Sequence, residues 1–266
     1  MQPFRFGAPS RQLYGVHHPP MGSQPRSTAV LICNPLGQEA VRTHRMFRVL
    51  AERLARAGRH VLRFDYYGTG EAAGDDEQGD LLGWRQDLCT AHAELLQRSG
   101  CTASVWVGAR LGATLALMAA PDAPRPPTAL VLWEPVVSGQ HYLDHLAQRH
   151  RQALAESYSI VPPVLLQVET HDEALGFGLG AALRQQLRAA DLRRMPLPRS
   201  SRVTLVAPPG DAHADDLAAA LREQGNVPEV VAFTHQFDWT SEEAINTALV
   251  PSEAVQLLAS HIETAP

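Results

Sequence analysis

The chain has 266 residues, a formal net charge of −5 and a sequence pI near 6.2. A chain of this length buries a large core, and we expect a single domain over residues 1–266. Its acidic balance provides no basic surface for nucleic acid or for an anionic membrane. We therefore expect neither as a partner.

Two features bear on the compartment. Residues 1–16 contain no apolar core of the length that a secretory signal needs, and no run reaches the roughly 18 apolar residues of a membrane span. The cysteines, Cys33, Cys89 and Cys101, are odd in number and lack the spacing of metal ligands. We therefore expect a cytoplasmic protein with free thiols, no membrane span and no bound metal.

Short apolar strands and amphipathic helices alternate along the chain. Residues 12–18 predict an edge strand, and residues 28–34 predict a buried strand that is followed by a helix over 43–57. Further strands are predicted at 60–66, 104–108, 128–134, 202–207 and 229–233, with helices over 80–98, from Arg110 onward, and after each of the last two strands. This alternation predicts an α/β fold with a mostly parallel sheet covered on both faces.

The connection over residues 138–200 is much longer than the others. It contains two helical segments, YLDHLAQRHRQALAES and GLGAALRQQLRAADL, between two strands of the predicted sheet. Connections of this length with helices of their own are usually functional. We therefore predict that residues 138–200 form a lid over a site within the single domain.

Four short motifs lie at the ends of predicted strands: NPLGQE at 34–39, RFDYYGTG at 63–70, VGARLG at 107–112 and WEPVVSG at 133–139. With these motifs in this order, the chain resembles the α/β-hydrolase superfamily, in the group of the serine aminopeptidases and monoacylglycerol lipases. Within that group it is similar to hydrolase-like proteins associated with exosortase systems and biosynthetic clusters. The resemblance covers nearly the whole chain and implies an α/β-hydrolase fold with a helical lid.

The motif VGARLG differs at its centre from the GxSxG nucleophile turn of that superfamily. Gly108 and Gly112 stand at the two glycine positions, and Arg110 stands where the resemblance implies a serine nucleophile. The glycines allow the strand and the helix to approach each other closely. Because an arginine cannot act as that nucleophile, the resemblance implies the fold without the serine chemistry.

The same turn predicts a site for an anionic or carbonyl group. A helix that begins there directs backbone N–H groups and the positive end of its dipole at whatever lies above it. The resemblance places the two oxyanion-binding N–H groups on Leu36 and Leu111. The guanidinium of Arg110 adds a permanent charge and a planar set of donors, which suit a carboxylate, a phosphate or a developing enolate. The alternative is that Glu39 or Glu134 neutralises Arg110 internally.

The resemblance also implies an acid and a histidine. The histidine should follow the last strand, which identifies His235 as the candidate. The acid should follow one of the two strands before it, which leaves Asp211 and Glu134 as alternatives. A histidine held by a carboxylate is a suitable general base near neutral pH. A loop histidine without a catalytic role is the alternative for His235, because the chain has 12 histidines.

Other conspicuous residues have simpler interpretations. Asp65 lies at a strand end and is expected to organise the turn that follows it. Cys33 lies near the predicted oxyanion loop, where a thiolate would be an unusual nucleophile or substrate contact, but the resemblance gives it no histidine neighbour. His17 and His18 lack a third ligand for a metal ion.

Two classes of function remain as hypotheses. The first is an enzyme without a serine nucleophile, acting on a small acyl, ester or carboxylate-bearing substrate by base-assisted hydrolysis, elimination, isomerisation or cyclisation, with Arg110 orienting or polarising the anionic group. The second is a catalytically inactive hydrolase-like protein that binds a small acid or partners a biosynthetic assembly or a second copy of itself. The fold alone cannot decide between them. The convergence of several ionisable groups favours the enzyme, and neither hypothesis needs a cofactor.

Overall fold

The computed structural model describes residues 1–22, 25–157, 172–198, 201–240 and 250–265. Its strands are β1 (Gln2–Ala8), β2 (Arg11–His18), β3 (Thr28–Cys33), β4 (Val61–Asp65), β5 (Ala103–Ala109), β6 (Ala129–Trp133), β7 (Glu173–Ala174), β8 (Phe177–Gly178), β9 (Arg202–Ala207) and β10 (Glu229–Ala232). Eight of them form one sheet in the order β1-β2-β4-β3-β5-β6-β9-β10, and β7 pairs with β8 in a separate hairpin. The pairs β1–β2 and β2–β4 are antiparallel, and the pairs from β4 to β10 are parallel.

Helices cover both faces of this sheet. They are α1 (Gly37–Arg56), α2 (Leu81–Ser99), α3 (Arg110–Ala119), α4 (Gly139–Ser157), α5 (Ala181–Ala189), α6 (Ala212–Glu223) and α7 (Ser252–Glu263). Phe47 of α1 and Leu258 of α7 belong to one buried cluster, whereas Leu88 of α2, Leu117 of α3 and Leu217 of α6 belong to the other. Every residue of β3 and β6 is buried, as expected for strands covered on both faces. The predicted α/β fold with a mostly parallel sheet is confirmed.

The position of the edge strand was predicted wrongly. Residues 12–18 belong to β2, which lies between β1 and β4, and the unpredicted β1 forms the edge of the sheet. Phe6 is the only residue of β1 that is buried, so the strand has almost no apolar alternation by which to recognise it. The left-handed backbone of Gly7 (φ 86°) precedes the tight return into β2.

Helix α1 begins six residues before the predicted start at position 43. The buried face of its first two turns includes Glu39, Arg42 and Thr43, and apolar residues follow only from Met46. Because polar side chains form that face, hydrophobic periodicity does not indicate the first turns of the helix. Glu39 is consequently placed inside the molecule by a helix rather than by a loop.

The long connection between β6 and β9 contains α4, the β7–β8 hairpin and α5. Residues 158–171 and 199–200 of the predicted lid lie outside the described residues. Tyr142 of α4 donates a hydrogen bond to Glu39, which joins the insertion to α1. None of the helices in the described parts of the chain is long and apolar enough to cross a membrane.

Three buried histidines predict a loss of stability in mild acid. Burial lowers the pKa of His17 and His18 on β2, and of His92 on α2, to about 4. The unfolded chain, with histidine pKa values near 6.5, therefore binds protons between about pH 6.5 and pH 4 that the folded chain does not bind. We expect the free energy of unfolding, measured by urea titration, to fall as the pH drops through this window.

The variant His92→Gln is the control for this effect, because a glutamine cannot titrate. Its free energy of unfolding should depend less steeply on pH than that of the wild type over the same window. An identical slope for both proteins would show that His92 does not contribute.

Candidate functional site

The turn between β5 and α3 brings a strand, a helix and a neighbouring loop into close contact. A Cβ atom on Gly108 would lie 2.7 Å from the backbone nitrogen of Ala113, and one on Gly112 would lie 2.3 Å from the carbonyl oxygen of Cys33. Only glycine fits such approaches without displacement of backbone atoms. Arg110 stands at the tip of this turn with a left-handed backbone (φ 50°). The side chain of Arg110 therefore starts at the carboxyl end of the sheet.

Two carboxylates partner Arg110. Its Nε donates to Oε1 of Glu39 over 3.0 Å, and its Nη1 lies 3.7 Å from Oε2 of Glu134. Glu39 is almost fully buried, and its Oε2 accepts a hydrogen bond from the hydroxyl of Tyr142 over 3.0 Å. Burial raises the pKa of Glu39, and the opposing effect of Arg110 is smaller. Arg110 and Glu39 thus form a buried pair, as expected for the alternative in which a carboxylate within the protein neutralises Arg110.

Glu134 follows β6 and contacts Arg110, Trp239 and His235. It has a left-handed backbone (φ 45°), accepts a hydrogen bond from Nε1 of Trp239 over 3.0 Å, and is bonded through Oε1 to Nε2 of His235. Burial alone would raise the pKa of Glu134. The hydrogen bond from His235 and the charge of Arg110 outweigh burial and hold this pKa below its usual value. Glu134 is therefore ionised at neutral pH.

His235 is held on both ring nitrogens. Its Nδ1 accepts the backbone N–H of Phe237 over 3.1 Å, so the ring proton lies on Nε2, which donates to Glu134. The ring also packs edge-on against Trp133, with 5.0 Å between centroids. His235 thus pairs with Glu134 rather than with Asp211, and neither of its nitrogens is left to accept a proton from a ligand. Its arrangement fits a residue that positions Glu134.

A cavity of about 310 Å³ opens above Arg110. Its walls are Arg110, the strand end and loop over 134–138, three residues of α4, the start of α6 and Trp239. The α4 residues are His141, Tyr142 and His145, and the residues at the start of α6 are Asp211 and His213. Asp211 caps α6 by accepting the N–H of His213 over 3.0 Å. Arg110, Glu134 and Asp211 therefore share one cavity.

One end of the Arg110 guanidinium is left for a ligand. Nε and Nη1 have the partners given above, whereas Nη2 has no hydrogen-bond partner among the described residues and is not buried. The Arg110 side chain is 17% exposed. Arg110 also forms part of the cavity wall, and Nη2 is the guanidinium nitrogen whose donors are unused among the described residues.

The predicted oxyanion-binding residues do not line this cavity, although Leu111 directly follows Arg110 in the chain. Leu111 is buried, and Leu36 lines a separate space of about 10 Å³ on the far side of Tyr142. Neither is among the described residues that wall the Arg110 cavity. Cys33 is fully buried, and burial raises the pKa of its thiol, so it offers neither a thiolate nor a contact to a substrate. The predicted ligand contact at Cys33 therefore has no structural support.

The remaining sequence candidates have structural roles. Oδ2 of Asp65 accepts the backbone N–H of Glu71 over 3.0 Å, which confirms that Asp65 organises the turn after β4. His17 contacts His60, with 3.1 Å between ring nitrogens, and His18 accepts a hydrogen bond from Arg63. Within the described ranges, no group of three His, Cys, Asp or Glu side chains is arranged to hold a metal ion.

Three residues of the site were not identified from the sequence. Tyr142 binds Glu39, Trp239 binds Glu134, and His145 lines the cavity with neither ring nitrogen hydrogen-bonded to a described residue. Tyr142 and His145 are three residues apart on one helix, a spacing that places both on the same face. That spacing was the available signal, but it identifies a shared face without indicating what the face covers.

Solved structures with the same fold come from proteins of several kinds. A proline iminopeptidase from Mycobacterium smegmatis is 14% identical, with a TM-score of 0.63 over 99% of this chain and 98% of that chain. Est1E from Butyrivibrio proteoclasticus, solved with ferulic acid bound, is 14% identical, with a TM-score of 0.64 over 98% of each chain. The bottromycin epimerase BotH, in complex with bottromycin A2, is 16% identical, with a TM-score of 0.61 over 98% of this chain and 100% of that chain.

Similarity at these identities establishes the fold and not the activity. No curated protein sequence matches the chain significantly. The model of the serine aminopeptidase S33 family matches residues 24–176, which is more than half of the chain. The chain therefore belongs to the serine aminopeptidase S33 family and has the α/β-hydrolase fold.

Proposed function

We propose that this protein is an enzyme of the α/β-hydrolase fold that acts without a serine nucleophile on a small substrate carrying a carbonyl group. Arg110 donates hydrogen bonds to the carbonyl oxygen through Nη2. The residues described between β6 and β9 form part of a lid over the bound substrate. The observation that carries the proposal is the open end of the Arg110 guanidinium in a cavity of about 310 Å³.

The surrounding charges favour a neutral carbonyl over an anion. Glu39 and Glu134 already partner Arg110, and Asp211 adds a third carboxylate to the same region. A fourth carboxylate, brought by a ligand, would meet more negative than positive charge in a partly buried space. A carbonyl oxygen gains a hydrogen bond from a charged donor without that repulsion. The proposal thus narrows the expected substrate class from acyl, ester or carboxylate-bearing compounds to compounds with a neutral acyl, ester or amide carbonyl.

Backbone strain supports a functional role for the same two residues. Among the described residues, Arg110, Glu134 and Leu175 are the non-glycine residues with positive φ. Such conformations cost on the order of 1–3 kcal/mol each and persist where the surrounding structure enforces them. Two of the three lie in contact with each other at the cavity, which is the pattern expected of a preorganised site.

The proposal predicts that fluorophosphonate reagents will not label the protein. These reagents need an activated serine hydroxyl, and position 110 has none. Ser138 lies in the cavity wall, but its Oγ accepts the backbone N–H of His141 at the start of α4. Mass spectrometry of the treated protein should find no adduct, with a serine hydrolase as the positive control. Stoichiometric labelling of Ser138 would contradict the proposal.

Three ligands of similar shape test the carbonyl preference. Benzamide and acetophenone are neutral and carry a carbonyl group, whereas benzoate carries a charge. Calorimetry should show that the neutral compounds bind more tightly than benzoate. A hydrogen bond to a charged donor contributes roughly 1.5–3 kcal/mol, so loss of Arg110 should weaken the neutral compounds by on the order of tenfold or more.

The comparison needs a variant that remains folded. Arg110→Met together with Glu39→Gln removes the arginine without leaving a buried carboxylate unpaired. Tighter binding of benzoate than of benzamide would overturn the carbonyl preference. Equal affinity in the wild type and the double variant, or no binding of the neutral compounds, would overturn the proposal.

One observation favours binding without turnover as the second candidate. The nitrogens of His235 and the carboxylate oxygens of Glu134 all have partners within the protein. A protein that binds a small molecule, alone or as part of a biosynthetic assembly or a homodimer, would need no proton acceptor. The two candidates differ in whether another residue of the cavity can accept a proton.

A further inference from the structure

We propose that His145 is the general base of the Arg110 cavity and that it removes a proton from the carbon next to the bound carbonyl. The inference rests on the proposed function, because it assumes that Arg110 holds the carbonyl oxygen. It adds a reaction class, α-proton abstraction, and assigns its base to a residue of the insertion helix α4.

His145 has the unused hydrogen-bonding capacity that a base requires. Neither ring nitrogen has a partner among the described residues, and Nδ1 is buried. A neutral imidazole carries one N–H and one lone pair, so the lone pair of His145 is unengaged in either tautomer. Nε2 is not among the buried atoms without a partner, so it is the ring nitrogen whose lone pair a ligand in the cavity can reach, with the ring proton on Nδ1.

The surroundings keep His145 in its basic form. Burial lowers the pKa of His145, and Arg110, Arg149 and His141 lower it further, while Asp238 opposes them. The imidazole is therefore neutral at neutral pH and can accept a proton. Glu134 and His235 lie in the same region, but their hydrogen-bonding atoms are already engaged.

Removal of this proton requires only the substrate, His145 and Arg110. The C–H bond next to the carbonyl breaks, its electron pair forms the carbon–carbon double bond of an enolate, and the proton moves to the imidazole of His145. The negative charge develops on the former carbonyl oxygen, where Nη2 of Arg110 donates a hydrogen bond. Return of a proton to the same carbon, from either face, completes an exchange or an isomerisation, and no oxidant, reductant or nucleophile is needed.

Hydrogen exchange into acetophenone tests the inference. In D₂O, NMR should show that the wild-type protein replaces the methyl hydrogens of acetophenone with deuterium faster than buffer does. General bases typically contribute 10²–10⁴ in rate, so His145→Phe should slow this exchange by on the order of 100-fold. His150→Gln is the control, because His150 lies on the same helix, contacts the backbone of Leu175 and does not line the cavity.

The pH profile separates a base from a residue that only shapes the cavity. The exchange rate should persist below about pH 6.5 and fall only as His145 becomes protonated, because the imidazolium has no lone pair. His145→Gln is a second variant in case phenylalanine disturbs the fold. It should bind acetophenone with wild-type affinity but lack the exchange and its pH dependence.

The outcomes distinguish this inference from the proposed function. If acetophenone binds but wild-type exchange equals that of buffer, the role of His145 is overturned and the Arg110 site stands. The same conclusion follows if His145→Phe and His145→Gln exchange at the wild-type rate. If neither acetophenone nor benzamide binds, the proposed function fails and the inference fails with it. If benzamide binds but acetophenone does not, the Arg110 site stands and the inference is overturned.

Discussion

Replacement of Arg110 with methionine should lower the free energy of unfolding by about 3–5 kcal/mol. The methionine removes the charge that partners Glu39, which has only 1% of its side chain exposed. Among the described residues, Tyr142 would then be the remaining side-chain donor to a carboxylate that is isolated from water. Breaking a buried pair by removing one member costs more than the pair itself contributes, because the other member stays buried and uncompensated. Urea unfolding of the wild type and of Arg110→Met measures the difference.

The matched control adds Glu39→Gln to the same variant. The amide of glutamine has a similar shape, carries no charge and can still accept the hydrogen bond from Tyr142. We therefore expect Arg110→Met with Glu39→Gln to recover much of the stability that Arg110→Met alone loses. If Arg110→Met unfolds at the wild-type urea concentration, Arg110 and Glu39 are not coupled, and the description of the pair is wrong.

The variant Gly112→Ala should lower the free energy of unfolding by more than about 3 kcal/mol. A Cβ atom at this position would lie 2.3 Å from the carbonyl oxygen of Cys33 and 2.4 Å from that of Asn34. Both are backbone atoms at the carboxyl end of β3, and they cannot move aside as the end of a flexible side chain would. Helix α3 must therefore move away from β3, which also moves the tip of the turn that carries Arg110.

Gly100→Ala provides the comparison for Gly112→Ala. Gly100 ends α2 in a left-handed conformation (φ 67°), and a Cβ atom there would have no heavy atom within 4 Å beyond its own chain neighbours. Its replacement should cost about 1 kcal/mol, from backbone conformation alone. Thermal or urea melts should thus rank wild type above Gly100→Ala and Gly100→Ala well above Gly112→Ala. Equal effects of the two variants would contradict the close contact between α3 and β3.

The fold could be predicted because the hydrophobic pattern that indicates each strand or helix lies within that element, and strands and helices alternate along the chain. Strands such as β3 and β6 consist of continuous apolar runs, and helices such as α2 end at a glycine, so each element is indicated by its own residues. The failures have the same explanation. The strand β1 is mostly exposed, and the first turns of α1 bury polar side chains, so neither has the hydrophobic pattern on which such a prediction depends.

The candidate site was only partly predictable. Gly108 and Gly112 indicated the turn and placed Arg110 at its tip, and the strand order brought Glu39 and Glu134 to the same edge of the sheet. The sequence could not show which guanidinium nitrogen of Arg110 each carboxylate contacts. Nε lies 3.0 Å from Glu39 and Nη1 lies 3.7 Å from Glu134, and both distances depend on how α1, α3 and β6 pack.

The contribution of the insertion was the least predictable part. Tyr142 and His145 reach the site because α4 crosses above the carboxyl end of the sheet, close enough for Tyr142 to bond to Glu39. The path of a connection is set by packing against elements distant in sequence, which no local pattern encodes. For His235, the sequence indicated the position after the last strand, but it indicated neither the tautomer nor the hydrogen-bond partners.

The structure of a complex with acetophenone or benzamide, whichever binds more tightly, would show whether Arg110 holds a carbonyl oxygen. We expect that oxygen at about 2.9 Å from Nη2 of Arg110, with Nε still bonded to Glu39. We also expect the ligand to lie within the cavity walled by Tyr142 and Trp239. A ligand bound elsewhere, or one whose carbonyl oxygen has a donor other than Arg110, would contradict the claim that this arginine replaces nucleophilic chemistry with carbonyl recognition.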